Sequence, residues 1–208
     1  MKRLSLVLVA GLAAACIAPK APPLRGELAP ARLPRLEMPA LHRKLIFKWT
    51  YRDVDYSFHG DGAARIAPPD SVRLDFFIDG GLGGGFATLI GDELTTPGPD
   101  FVTKMLPPSP MLWAALGRLR APALADTVVR IDGDTTRADI GHDPRWRAAI
   151  VAGSLRGLDV IEGDRLSQSL ARTTTGDARY QHYRGKRTLE LTITRVDTVP
   201  DFDASIWH

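Results

Sequence analysis

The sequence predicts a mainly β fold: an antiparallel open half-barrel of about ten or eleven strands with a short helical lid. Three observations predict it. From Leu41 onward apolar residues recur with a period of two rather than 3.6. Gly, Asp and Pro turn signals separate the alternating runs at hairpin spacing. One apolar segment, residues 109–117, breaks the alternation and carries helix signals.

The strands follow in order. Leu45, Phe47, Trp49 and Tyr51 alternate with Lys44, Lys48, Thr50 and Arg52, which describes a half-buried strand. Tyr56 and Phe58 continue the pattern past a turn at residues 53–55, and Pro68-Pro69-Asp70 breaks the chain again. Val72, Leu74, Phe76 and Ile78 alternate with Arg73, Asp75 and Asp79, and Gly80 to Gly85 forms a glycine-rich loop before a strand from Phe86 to Ile90. In the apolar segment Ser109 is placed to cap the helix, Pro110 suits its first turn and Gly117 suits its end. Runs at 127–131 and 136–140 flank Asp132-Gly133-Asp134, a hairpin. Further strands are expected over 145–152, 157–161, 165–172, 178–183 and 187–196. A sheet of this size curls rather than staying flat.

Composition narrows the function. The 208 residues include 27 Lys+Arg, 24 Asp+Glu and one Cys, with 44% hydrophobic residues, so the chain is globular. A single cysteine excludes an internal disulfide framework, a CxxC redox pair and a cysteine-rich zinc module. The net charge of +3 is carried by scattered basic residues, which argues against a nucleic-acid partner. No GxSxG, HExxH or GxxxxGK[ST] motif is present, and no two histidines stand four apart on a helix. His59 and His182 could meet across a curled sheet. A non-enzymatic protein is expected, without cofactor or metal.

The N-terminus reads as an address. Met1-Lys2-Arg3 is a basic start, and residues 4–15 form an apolar and small-residue run too short to span a bilayer. The stretch Leu12-Ala13-Ala14-Ala15 before Cys16 resembles a bacterial lipoprotein signal. That resemblance implies a signal over 1–15, an acylated Cys16 as mature N-terminus and a membrane anchor; Ile17 rather than Asp after the cysteine favours the outer membrane. Loss of Lys2 and Arg3 with the signal leaves 25 basic against 24 acidic residues, a nearly neutral chain. Six prolines over residues 17–41 read as a semi-rigid tether after Cys16, so residues 16–41 are expected to hold a domain of 42–208 off the membrane.

The bulky residues carry the functional reading. Phe47, Trp49, Phe58, Leu74, Phe76 and Phe86 are expected to wall an apolar cavity, with Leu112, Trp113 and Leu116 as its lid. Residues Phe47-Lys-Trp49, Gly60-Asp-Gly62-Ala-Ala-Arg65, Pro69-Asp70-Ser-Val-Arg73-Leu-Asp75, Ala87-Thr-Leu-Ile-Gly91-Asp92 and Leu112-Trp113-Ala-Ala-Leu116-Gly117 together resemble the LolA/LolB-like family. The family includes periplasmic carriers and outer-membrane receptors of lipoproteins, and relatives that bind other lipids. The resemblance implies a half-barrel with helices over an apolar cavity, and the acyl anchor fits the membrane-attached branch. It implies a lipid or acylated lipoprotein as cargo, a periplasmic carrier protein as partner, and a membrane-inserting residue for which Leu82 is the candidate by position. Trp113→Asp is then expected to abolish acyl binding and leave the fold intact. The rival expectation is a non-catalytic structural or interaction lipoprotein of the cell envelope with a filled core.

Overall fold

In a computed structural model, the described residues are 18–207, apart from Ala31, Leu82, Pro99, Ala123 and Ala125. They form one open antiparallel sheet of thirteen strands with two short helices. The strands are β1 (Glu27–Leu28), β2 (His42–Arg52), β3 (Ser57–Ala67), β4 (Ser71–Ile78), β5 (Gly84–Ile90), β6 (Glu93–Thr95), β7 (Thr127–Asp132), β8 (Thr135–Ile140), β9 (Arg145–Val151), β10 (Ser154–Glu162), β11 (Arg165–Arg172), β12 (Ala178–His182) and β13 (Arg187–Val199). Helices α1 (Asp100–Met105) and α2 (Ser109–Ala115) fall between β6 and β7. The expected half-barrel is the one observed. The added strands are mainly the two- and three-residue edges β1 and β6, too short to show a period.

The sheet order is β1-β7-β8-β9-β10-β11-β12-β13-β2-β3-β4-β5-β6. Two hairpin meanders are joined by one long-range pairing, β13 with β2, which runs from Thr188↔Arg52 to Val199↔His42. Bulges at Ile193/Arg195, Leu155/Gly157 and Val160/Ile161 give the local twist that lets the sheet curl.

Strand β3 sets the spacing of the inner face. Its inward residues Gly60, Gly62 and Ala64 lie between Trp49, Phe47 and Leu45 of β2 and Ile78, Phe76 and Leu74 of β4. The rings of Phe47 and Phe76 meet edge to face at 5.8 Å, and Trp49 meets Phe76 at 5.7 Å. Space for them comes from the missing side chains: a Cβ on Gly62 would stand 2.3 Å from the Phe47 ring, and one on Gly60 would stand 1.8 Å from the Phe77 carbonyl oxygen. The Trp49 indole N–H donates to the Asp61 carbonyl at 3.0 Å, which ties β2 to β3 a second time.

The outer face is covered at two places by chain termini. The proline-rich segment does not stand off as a tether. The Leu166 N–H donates to Pro19 O, Ala21 N–H to Asp164 O and Ala29 N–H to Val129 O, and β1 pairs with β7. Arg147, bidentate to Asp139 at 2.6 and 2.8 Å, also donates to Pro22 O. Leu33, Leu36 and Met38 pack on the core. Proline removes N–H donors but keeps its carbonyl, so an extended proline-rich chain can still lie along a sheet as an acceptor. The folded unit therefore takes in residues before His42, from Ala18 on among the described residues. At the other end, Arg73 donates to Ile206 O at 2.7 Å, and His42 meets the Phe202 ring at 5.6 Å, so the C-terminal turn Ala204–Trp207 docks on the sheet.

Gly62→Ala is expected to force the Phe47 ring out of place and to destabilise the fold by about 1–3 kcal/mol, read as a lowered urea midpoint. An unchanged midpoint would contradict the role given to β3.

Candidate functional site

Helix α2 lies against the inner face of the sheet. Met111, Leu112, Trp113, Ala114 and Ala115 are all buried, Met111 and Trp113 completely. A helix of seven residues that is apolar on every side needs cover on every side. The curved sheet supplies most of it, and α1, through buried Val102 and Met105, supplies more.

The helix is fixed by polar contacts at its ends. Trp113 donates its indole N–H to Gly91 O at 2.7 Å, and Arg118 lies 5.0 Å above the ring. Arg172 donates from Nε to the Ala115 carbonyl at 2.9 Å and so satisfies an oxygen at the helix end. Ser109 does not cap the helix: the position before the first turn is Pro108, and the Ser109 hydroxyl donates to Asp92 O at 2.9 Å. Pro110 sits in the first turn and Gly117 follows the helix with positive φ, both as expected.

The expected wall divides. Phe47, Trp49, Leu74 and Phe76 are brought together in the core on the inner face, each about 1% exposed. Phe58 shares their face but lies near the end of the strand, half-buried, stacked on Tyr56 and 6.4 Å from Phe101. Phe86 is on the opposite face. It pairs with Asp75 across β4–β5, and Arg73 lies 3.8 Å over its ring. The inward residues of β5 are the small Gly85 and Ala87, with Leu89, so bulk at Phe86 marked an outer contact rather than an inner one. Of the expected lid, Leu112 and Trp113 are core and Leu116 is half-buried at a rim. Trp113→Asp would place a carboxylate in a fully buried site, a cost that falls first on the seating of α2. Cys16 and Leu82 lie outside the described residues. His59 and His182 do not meet: they stand on β3 and β12 with β13 and β2 between.

Space remains at one end of α2. Strand β12 stops where Ala178 pairs with Leu191, while β13 runs on to Val199. A cavity of about 110 Å³ opens in this gap, floored by Leu45, Phe47, Leu74, Ala115 and Leu191. Arg43, Arg172, Thr175 and Gly176 form its rim. Behind Ala115 only a gap of about 10 Å³ remains, between Leu112, Leu170, Tyr180 and Leu189. Burial pushes the Tyr180 phenol up to about 12, so it stays protonated and donates to Gln168 Oε1 at 2.8 Å. Burial also lowers the pKa of Arg43, and that of Arg172 with added repulsion from Arg156 and Arg43.

The sequence reading missed the two rim arginines. Their signal is parity: Arg43 shares the inward register of Leu45, Phe47 and Trp49, and Arg172 shares that of Leu170.

No family model matches the sequence, and no curated protein matches it. Solved structures do match in fold. A LolA superfamily protein from Nitrosomonas europaea aligns over 83% of this chain and 92% of its own, at 8% identity and a TM-score of 0.53. A DUF1329 family protein from Desulfovibrio piger covers 82% and 90% at 9% identity, with a TM-score of 0.41. A Vibrio parahaemolyticus domain named for outer membrane lipoprotein sorting covers 82% and 91% at 7% identity, with a TM-score of 0.39. The first of these establishes the likeness in fold: the LolA/LolB-like architecture expected from the sequence is present.

Trp113→Phe removes the donor to Gly91 O and strands a carbonyl under the helix. Thermal or urea unfolding is expected to show a loss of about 1–3 kcal/mol. No loss would mean that the indole does not fasten α2.

Proposed function

We propose that this chain is a non-enzymatic lipoprotein of the outer membrane, facing the periplasm and anchored through an acylated Cys16. It takes an acyl chain of a lipid or of an acylated lipoprotein between the sheet and α2, in lipoprotein sorting or lipid handling. The observation that carries the reading is α2 itself. A sheet face rich in large apolar side chains is covered by a seven-residue apolar helix fixed at its ends, not by a second sheet. The LolA-like fold supports it, because the resemblance implies carriers and receptors built in this way.

Energetics favour long chains as cargo. Met111, Leu112 and Trp113 each contribute about 1.5–3 kcal/mol when buried, so displacing α2 costs at least about 5–9 kcal/mol before its polar contacts are counted. An acyl chain recovers about 0.8 kcal/mol per buried CH₂, roughly 6 kcal/mol for eight carbons and roughly 12 for sixteen. Only the longer chain clearly offsets the loss. Transfer then needs no nucleotide: cargo moves from a periplasmic carrier to the pocket that buries more of it.

One observation favours the second reading, a scaffold of the envelope with a filled core. Away from the 110 Å³ cavity, the side chains of α2 occupy the inner face closely. Native mass spectrometry separates the two. Residues 16–208 carrying Cys16→Ser are used: residues 18–41 pack on the sheet, and without the apolar run 4–15 and the acyl group no detergent is needed. A co-purified acyl mass, or uptake of palmitate but not octanoate, is expected. A bare mass that takes up neither would leave the scaffold reading.

A further inference from the structure

We infer that Arg43, with Arg172 across the cavity mouth, binds the anionic head of a single-chain amphiphile whose tail enters the cavity beneath α2. The inference rests on the acyl-binding reading above and names the chemistry of the ligand.

Arg43 is the inward residue of β2 that follows Leu45, Phe47 and Trp49 toward the sheet rim. A strand that only built a core would place an apolar or short polar residue there. Among the described residues its guanidinium has no carboxylate within 4 Å, although Arg65, Arg73, Arg118, Arg120 and Arg147 all have one. Its Nε is buried without an acceptor, and the one partner of its side chain is the weak acceptor Met38 Sδ at 4.0 Å. Two other arginines bury an unpaired Nε, but Arg187 donates to Lys104 O at 2.8 Å and Arg145 lies 3.3 Å from Asp139. Arg43 alone of the three has no oxygen partner among the described residues. A half-buried cation kept without a partner costs stability, and the fold gains nothing visible from it.

Arg172 faces the same space. Its Nε and Nη1 are held by the Ala115 and Leu155 carbonyls at 2.9 and 3.3 Å, which leaves further N–H donors of a fixed fork. The rim carboxylate Asp177 is already engaged, by the Ile193 N–H at 2.8 Å and the Thr175 hydroxyl at 3.0 Å. Burial lowers the affinity of both guanidiniums for the proton, and repulsion from Arg156 and Arg43 lowers that of Arg172 further, a cost that a bound anion offsets. The planar guanidinium matches an oxyanion in two parallel bonds. Directly below lie Leu45, Phe47 and Leu74, so the charged head stays at the rim while the tail points inward. A fatty-acid carboxylate and a lysophospholipid phosphate share this chemistry.

Calorimetric titration of residues 16–208 carrying Cys16→Ser, below the micelle concentration, tests the site with palmitate, 16-carbon lysophosphatidate and hexadecanol. At least one anionic probe is expected to bind about tenfold or more tighter than the alcohol. Which one does so identifies the head. Arg43→Gln should bring that probe to the level of hexadecanol, Arg43→Lys should restore part of the preference, and Arg43→Gln should melt no lower than its parent. Equal binding of all three probes by the parent chain overturns the site but keeps the acyl reading, and needs no variant that folds. A preference that survives Arg43→Gln also overturns it. Binding of none of the three overturns both.

Discussion

Aromatic rings from two strands share the space that glycine leaves on the strand between them, and the inner face of the sheet depends on this. Phe47 and Phe76 approach edge to face only because Gly62 has no Cβ, and Trp49 reaches the Asp61 carbonyl over Gly60. With β3 kept small, β2 and β4 can both turn their largest side chains inward. The result is an apolar floor broad enough to hold a helix. The β13–β2 pairing extends that floor across the two meanders, so residues as far apart in the chain as Ile193 and Phe47 line one surface.

On this floor α2 behaves as a separate piece. It belongs to no second layer, and its attachment is a set of end contacts: Trp113 to Gly91, Ser109 to Asp92, and Arg172 to Ala115. Two of these reach the β5–β6 turn and one reaches β11, so opposite sides of the curled sheet clasp the helix. In the proposed function this apolar plug is exchanged for another apolar body of similar area. The cavity lies where the clasp is incomplete, beside the short strand β12, and the unpartnered Arg43 stands at that opening.

Much of this was legible in the sequence, and the misses have physical causes. Period-two alternation placed Phe47, Trp49, Leu74 and Phe76 on one face, and Pro110 and Gly117 bracketed α2. Phe86 shows that size does not imply inwardness: its ring packs outside, beneath Arg73. Helix α1 spans six residues, too few to show a period of 3.6. The proline-rich segment looked free because proline cannot donate, yet the carbonyls of Pro19 and Pro22 accept bonds from the sheet. Arg43 was hidden by its charge: a basic residue at the start of a strand reads as solvent-facing unless its parity is followed inward.

In the proposed function α2 covers the sheet as a detachable unit. Hydrogen exchange of the native full chain tests it most directly, through the α2 amides of Leu112, Leu116, Gly117 and Arg118, whose acceptors lie within or next to the helix. These amides should exchange through a local opening, faster than those of β2 and β3 and with a weaker dependence on denaturant. If they exchange only with global unfolding, in step with β2 and β3, the helix is part of a fixed core and the account fails.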